Sequence, residues 1–132
     1  MGFEGEFEEK SVVIEKSELF ALRIVKLARY LNDQKKEYVM AKQVLRSGTS
    51  IGANLAEAKC AMSDADFLAK NHIAFKECSE TAYWLRLLCK SGYISPDYYK
   101  SIAKDCNELY RMLSSITRTL KTRLTLNGKG TK

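Results

Sequence analysis

The sequence contains very few of the residues that interrupt helices. Pro96 is the only proline among 132 residues, whereas an average usage of about 5% would give roughly seven. Only three of the seven glycines, Gly48, Gly52 and Gly92, lie outside the two terminal segments. A β-sandwich or an α/β fold needs more turn residues than this. The composition therefore predicts an all-α protein that forms one domain.

Long apolar runs are also missing. No stretch reaches the roughly 20 apolar residues that a membrane-spanning helix needs. The first ten residues are acidic and lack the basic and apolar regions of a signal peptide. We therefore expect a cytoplasmic protein with no membrane partner.

Metal-ligating residues are scarce and poorly spaced. The cysteines at positions 60, 78, 89 and 106 form no CxxC pair, and His72 is the only histidine. A zinc site would need all four thiols to converge, and a di-iron bundle would need two Glu-x-x-His pairs. We expect reduced thiols in the core, with no metal, no cofactor and no catalytic residue.

Charge is unevenly distributed along the chain. The formal net charge is +6, yet residues 1–20 hold six acids and two bases, and the remainder holds 20 bases and 10 acids. From Leu109 onward there is no acid at all. A basic surface attracts polyanions, although a solvated helix surface explains the charge equally well. The predicted nucleic-acid contacts are Arg111, Arg118, Lys121 and Arg123.

Apolar residues recur at three- and four-residue spacings in four segments, as in helices that bury one face. The predicted helices cover about residues 15–32, 38–61, 64–91 and 96 onward, and the apolar stripe of the second runs from Val44 to Met62. Ser63 and Ser95 are predicted N-caps, Pro96 occupies a first helical position, and Gly92 suits a helix end. Long helices with short connections favour an antiparallel up-down-up-down four-helix bundle.

The sequence divides into three parts on this basis. Residues 1–16 form an acidic leader that we expect to be flexible, and residues 17–126 form the bundle. Residues 127–132 are predicted to be a disordered tail.

The segment RSGTSIGANLAEA, residues 46–58, has more glycine and small polar residues than the core-facing helix of a four-helix bundle requires. Gly48 and Gly52 each cost about 1 kcal/mol relative to alanine inside a helix. The small side chains around them predict that another backbone approaches this face closely. A phosphate-binding loop is disfavoured, because GxxxxGK[ST] is absent and no strand precedes the segment.

A polar stripe runs beside the apolar one on the second helix, and a counterpart lies on the third. We expect the two glutamates of the third helix to pair with Arg46 or to hydrogen-bond Ser50 and Asn54, inside the fold or across a subunit contact. Trp84 is predicted to pack in a core or an interface, with a base-stacking platform as the alternative. The predicted network comprises Arg46, Ser50, Asn54, Glu57, Glu77, Glu80 and Trp84.

These two segments carry a family resemblance. RSGTSIGANLAEA, then Asp66 and Phe67, then KECSETAYWLRLL at 76–88 resemble the signature of the 23S rRNA intervening-sequence proteins. The resemblance covers roughly residues 20–124 and leaves the leader before Ser17 outside it. It implies a four-helix bundle that assembles as a ring, typically a homopentamer, with no catalytic activity. A similar bundle serves as the accessory variability protein of diversity-generating retroelements, where it is basic and binds nucleic acid.

Three hypotheses follow from the residues and the resemblance together. The first is a non-enzymatic, ring-forming protein that binds RNA or other nucleic acid through its basic surface. The second is an oligomeric module that docks a protein partner, with its basic charge incidental. The third, a small hydrolase or metal enzyme, is disfavoured because the necessary acid, His and Cys constellations are missing.

Overall fold

Four helices make up the part of the chain that the structure describes. This computed structural model describes the backbone of residues 4–130 and the side chains of residues 12–126. The helices are α1 (Glu4–Asp33), α2 (Val39–Ala58), α3 (Asp64–Lys90) and α4 (Pro96–Gly130). The fold is the all-α four-helix bundle that the sequence predicts. Within residues 4–130, no helix is long and apolar enough to cross a membrane.

Local signals in the sequence fix several helix ends. The Ser63 hydroxyl accepts a hydrogen bond from the Asp66 amide, and the Ser95 hydroxyl accepts one from the Tyr98 amide. Each bond satisfies one of the amides that a helix N-terminus leaves without a partner. Gly92 has φ of +84° just after α3, a conformation that glycine adopts without steric penalty. These three predictions are confirmed.

The first and last helices are longer than the sequence predicts. Helix α1 begins at Glu4 rather than Glu15, so residues 4–16 continue a helix instead of forming a separate leader. Acidic residues in a first turn interact favourably with the helix dipole, and glutamate is itself a good helix former. Helix α4 continues to Gly130, which places residues 127–130 of the predicted tail in the helix as well.

Contacts across each interface show that neighbouring helices are antiparallel. Ile24 of α1 packs at Gly48 of α2, whereas the earlier Ser17 packs at the later Gly52. The same inversion relates α2 to α3, α3 to α4, and α4 to α1. The pairs that define these three registers are Arg46–Glu77 with Glu57–Lys70, Phe75–Tyr110 with Cys78–Cys106, and Lys16–Glu108 with Arg23–Asp105.

The core consists of the apolar stripes of all four helices. Phe20, Ile51, Leu85 and Leu113 are each 2% exposed or less, and they represent α1 to α4 in turn. The predicted stripe of α2 ends at Ala58, because the helix itself ends there. Beyond that point Met62 is 96% exposed and Cys60 is exposed, so the prediction that these two side chains lie in the core is wrong.

The two glycines of α2 allow α1 to pack closely against it. A β-carbon on Gly48 would lie 2.8 Å from both Cγ1 and Cγ2 of Ile24, and one on Gly52 would lie 3.2 Å from Oγ of Ser17. The close approach that the sequence predicts is therefore made by a helix of the same chain. The tight packing of α1 against α2 offsets the cost in helix stability of placing glycine at these two positions.

The contact between α1 and α4 is the least extensive of the four. Two ion pairs lie along it: Lys16 with Glu108 at 2.9 Å and Arg23 with Asp105 at 2.8 Å. The Arg23 guanidinium also donates to the Ser101 hydroxyl and lies 5.6 Å from the centre of the Tyr98 ring. Polar contacts therefore reinforce the interface between the first and last helices.

Candidate nucleic-acid interface

The signature residues of α2 and α3 form an ion-paired network on the outside of the bundle. Arg46 donates to Glu77 Oε2 at 3.1 Å and also to Glu80. The Arg46 side chain is 48% exposed, and those of Glu77 and Glu80 are 19% and 36% exposed. The pairing between Arg46 and the two glutamates that the sequence predicts is present, and it lies within one chain.

Trp84 joins this network through its indole. The Nε1–H donates to Glu80 Oε2 at 3.0 Å, and the indole packs edge-on against Tyr83 with ring centres 5.1 Å apart. The hydrogen bond from Trp84 and the guanidinium of Arg46 hold the pKa of the Glu80 carboxyl below its ordinary value of 4.5, although partial burial opposes them. Trp84 thus packs within the cluster around Glu80.

The other polar signature residues stay within their own helix or form separate contacts. The Ser50 hydroxyl donates to the Arg46 carbonyl, and the Asn54 amide donates to the Ser50 carbonyl. Within the chain, neither is hydrogen-bonded to the glutamates of α3. Backbone carbonyls one turn earlier lie within closer reach of these short side chains than the neighbouring helix does. Glu57 pairs instead with Lys70 at 3.0 Å.

A buried hydroxyl pair sits between the same two helices. Thr81 donates to Ser47 Oγ at 2.9 Å, and both residues are completely buried. Together with the Arg46 network and the Glu57–Lys70 pair, this contact fixes the register of α2 against α3. Because two carboxylates surround Arg46, the network has little capacity to bind a phosphate. Its arrangement indicates a structural role.

The basic residues of α4 form a continuous exposed stripe. Lys100, Lys104, Arg111 and Arg118 follow at spacings of four, seven and seven residues, which places them within about 40° of one another around the helix. All four are exposed, and Lys121 lies next to them on the side that faces α3. We call these five residues the α4 basic stripe. It extends over about 30 Å at roughly 1.5 Å per residue.

Within the described residues, the cations of the stripe remain unpaired. Among residues 12–126, none of its five side chains takes part in an ion pair. Between positions 100 and 121, the acids of α4 are Asp105 and Glu108. Both are paired with α1, through Lys16 and Arg23, rather than with the cations of the stripe. Positive charge therefore remains available along this face.

The four basic residues that the sequence predicts as nucleic-acid contacts do not all lie on the same face of α4. Arg111, Arg118 and Lys121 belong to the stripe, but Arg123 is only half-exposed and lies on the side of α4 towards α1. Sequence reasoning missed Lys100 and Lys104, because it searched for an acid-free segment rather than for one face of the helix. A helical projection of residues 96–126 would have found both of them.

Two of the four cysteines, Cys78 and Cys106, are buried next to each other. The sulfur atoms of Cys78 and Cys106 lie 3.9 Å apart in the core. The hydrogen bond between them and their burial raise the pKa of the Cys78 thiol, so it stays protonated and unreactive. Among residues 12–126, no three His, Cys, Asp or Glu side chains are grouped to hold a metal ion.

Comparison with known proteins agrees with the family resemblance seen in the sequence. A family model described as 23S rRNA-intervening sequence protein matches residues 9–115, so the match begins ahead of Ser17, within the segment that the sequence resemblance left out. The chain is similar to the crystal structure of a protein of unknown function from the S23 ribosomal protein family of Bacteroides thetaiotaomicron VPI-5482. The two are 51% identical with a TM-score of 0.82, and the alignment covers 83% of this chain and 98% of that one. No curated protein matches the chain.

Proposed function

Because the chain belongs to the 23S rRNA-intervening sequence protein family, we propose that it is a non-enzymatic, ring-forming protein that binds RNA or other nucleic acid through its basic surface. The observation that carries this proposal is the α4 basic stripe. Five unpaired cations on one exposed helix face are the electrostatic footprint of a polyanion-binding surface.

The stripe suits a phosphate backbone better than a single anion. Its cations are spread over about 30 Å, so they would contact several phosphates along a strand or across a groove. Each neutralised phosphate releases condensed counterions, which makes the binding strong at low salt and weak at high salt. A ring would multiply the effect, because every copy adds another stripe to one assembly.

Apolar side chains on the outer side of α1 and α2 support the assembly part of the proposal. Leu22 is 55% exposed and Leu45 is 36% exposed, and small residues such as Ala53 lie on the same outer side of α2. An apolar face of this kind is typical of a contact with another subunit. In the ring that we propose, this face packs against another copy and leaves α4 open to solvent.

The binding experiment compares two variants of equal charge. The stripe variant carries Lys104→Gln, Arg111→Gln and Arg118→Gln. The control carries three substitutions elsewhere: Lys59→Gln, Lys76→Gln and Lys90→Gln. These three are also exposed and, within residues 12–126, form no ion pair. Fluorescence anisotropy then measures the affinity for a labelled structured RNA and a duplex DNA at about 50 and 200 mM salt.

We expect the stripe variant alone to bind weakly and to show a reduced salt dependence. The plot of log K against log salt has a negative slope, and loss of three phosphate contacts makes it shallower by about 2.7 for a duplex. The control should keep the wild-type slope. Equal weakening of both variants would mean that net charge rather than this face governs binding, and would overturn the proposal. Absence of binding by the wild type, with a ring still formed, would favour a protein-docking module instead.

The mass of the nuclease-treated protein tests assembly separately. Native mass spectrometry should show a ring, with five copies as the expected number. Leu22→Asp should shift the mass distribution towards smaller species, because the substitution places a charge in the proposed contact. Met62→Asp is the control, since Met62 is 96% exposed in the connection between α2 and α3. A wild-type monomer at micromolar concentration would contradict the assembly part.

A further inference from the structure

A groove between α3 and α4 lies beside the α4 basic stripe. It has a volume of about 440 Å³ and is lined by both helices, within the range of roughly 300–1,000 Å³ that small-molecule sites occupy. The α3 wall consists of Ala65, Leu68, Ala69, His72 and Phe75, and the α4 wall of Ser114, Thr117, Arg118 and Lys121.

One side of the groove is aromatic. The rings of His72 and Phe75 lie 6.3 Å apart, and the Phe75 ring packs against Tyr110 with centres 4.9 Å apart. His72 is exposed, and Tyr110 is 41% exposed. Ala65 and Ala69, on the same wall as His72, have small side chains. A flat, weakly polar ligand would find a stacking surface here.

The other side of the groove is cationic. Arg118 and Lys121 belong to both the groove and the α4 basic stripe, and no carboxylate is among the lining residues. A phosphate at the rim would therefore meet two unpaired cations, while the apolar floor would remain free for another part of the same ligand. This combination selects a ligand with an anionic end and a flat ring.

The geometry points to a site for unpaired nucleotides of a single-stranded RNA segment, with a base stacked in the groove and its phosphate held by Arg118 and Lys121. The inference rests on the proposed nucleic-acid binding and specifies its substrate. Stacking on aromatic side chains beside a cationic track is how single strands are bound without sequence preference. A duplex offers phosphates to the stripe but keeps its bases inside, so it leaves the groove empty.

The test compares a ten-nucleotide oligouridylate with an RNA duplex of the same strand length. His72→Ala removes an exposed ring, and Phe75→Leu removes aromatic character while keeping an apolar side chain next to the core. His72→Tyr restores a ring, and Tyr38→Ala removes an aromatic that is 59% exposed near the opposite end of the bundle. Far-UV circular dichroism and thermal unfolding verify that each variant is folded.

We expect the wild type to prefer the single strand. His72→Ala and Phe75→Leu should each weaken oligouridylate binding by about tenfold and leave duplex binding unchanged. His72→Tyr and Tyr38→Ala should bind as the wild type does. His72 is the only histidine in the chain, so the Hε1 proton of its imidazole gives a single NMR signal, which oligouridylate should shift and the duplex should not.

Two other outcomes overturn the inference in different ways. Equal binding of single strand and duplex, unaffected by His72→Ala, would show that the groove is not a nucleotide site while the stripe still binds nucleic acid. Binding of neither probe at about 50 mM salt would overturn the proposed function and, with it, this site.

Discussion

The replacement of Gly48 by alanine tests whether tight α1–α2 packing explains the glycines of the signature segment. An added Cβ would lie 2.8 Å from two carbon atoms of Ile24 and 3.2 Å from a third, whereas carbon atoms prefer about 3.5–4.0 Å. Ile24 is completely buried, and a β-branched side chain has little freedom at χ1. Either Ile24 or the helix itself must therefore move.

The expected change in stability is the difference between two opposing effects. Alanine improves helix propensity by about 1 kcal/mol, while overpacking a core costs about 1–3 kcal/mol. We expect Gly48→Ala to lower the free energy of unfolding by about 1 kcal/mol. Gly52→Ala is the matched control, because its Cβ would come no closer than 3.2 Å, to Ser17 Oγ, and would meet Cβ and C of Ser17 at 3.8 and 3.9 Å. It should be neutral or slightly stabilising.

Urea unfolding followed by far-UV circular dichroism measures both variants. The protomer concentration must be held constant, since assembly is linked to stability. In a double-mutant cycle, Gly48→Ala should cost less in an Ile24→Ala background, with a coupling energy of about 1–2 kcal/mol. If Gly48→Ala instead raises the free energy of unfolding by the full ~1 kcal/mol that helix propensity predicts, the close-packing explanation is refuted.

Two further predictions concern the Glu80 cluster and the end of α3. Because its pKa is lowered in the folded state, the Glu80 carboxylate contributes stability that is present above its unfolded pKa and is lost as the pH falls through the lower folded value. Trp84 is the only tryptophan, and its fluorescence should therefore be constant from neutral pH down to the ordinary glutamate pKa and change below it. Glu80→Gln should abolish this change in fluorescence. If the change persists in the variant, another group causes it. Gly92→Ala should lower the free energy of unfolding by about 1–2 kcal/mol, because alanine is strained at positive φ while its Cβ would meet nothing within 4 Å; an unchanged urea midpoint would contradict this.

Much of the fold could be predicted because its signals are local. The Ser63 cap, the Ser95–Pro96 start and the Gly92 stop each depend on a few adjacent residues and on the chemistry of one helix end. Positions such as Met62 were misassigned for the opposite reason. The apolar spacing continued past Ala58, but nothing in the spacing shows where the helix ends.

The site was predicted less completely, because it depends on which helix faces which. Arg46 could be matched with Glu77 and Glu80 from complementary charge and spacing alone. The groove could not be found in this way, since His72 and Phe75 are 39 or more residues from Ser114 and the rest of the opposite wall. Only the antiparallel register of α3 and α4 brings them together.

The weak α1–α4 contact has a consequence for how the bundle moves. Every other interface joins helices that are consecutive in the chain, so a short loop holds their ends together. The α1–α4 contact closes the bundle without such a loop, and its ion pairs are exposed ones that contribute about 0–1 kcal/mol each. We therefore expect the separation of α1 from α4 to be the first cooperative opening in native-state hydrogen exchange, and we expect added salt to promote it.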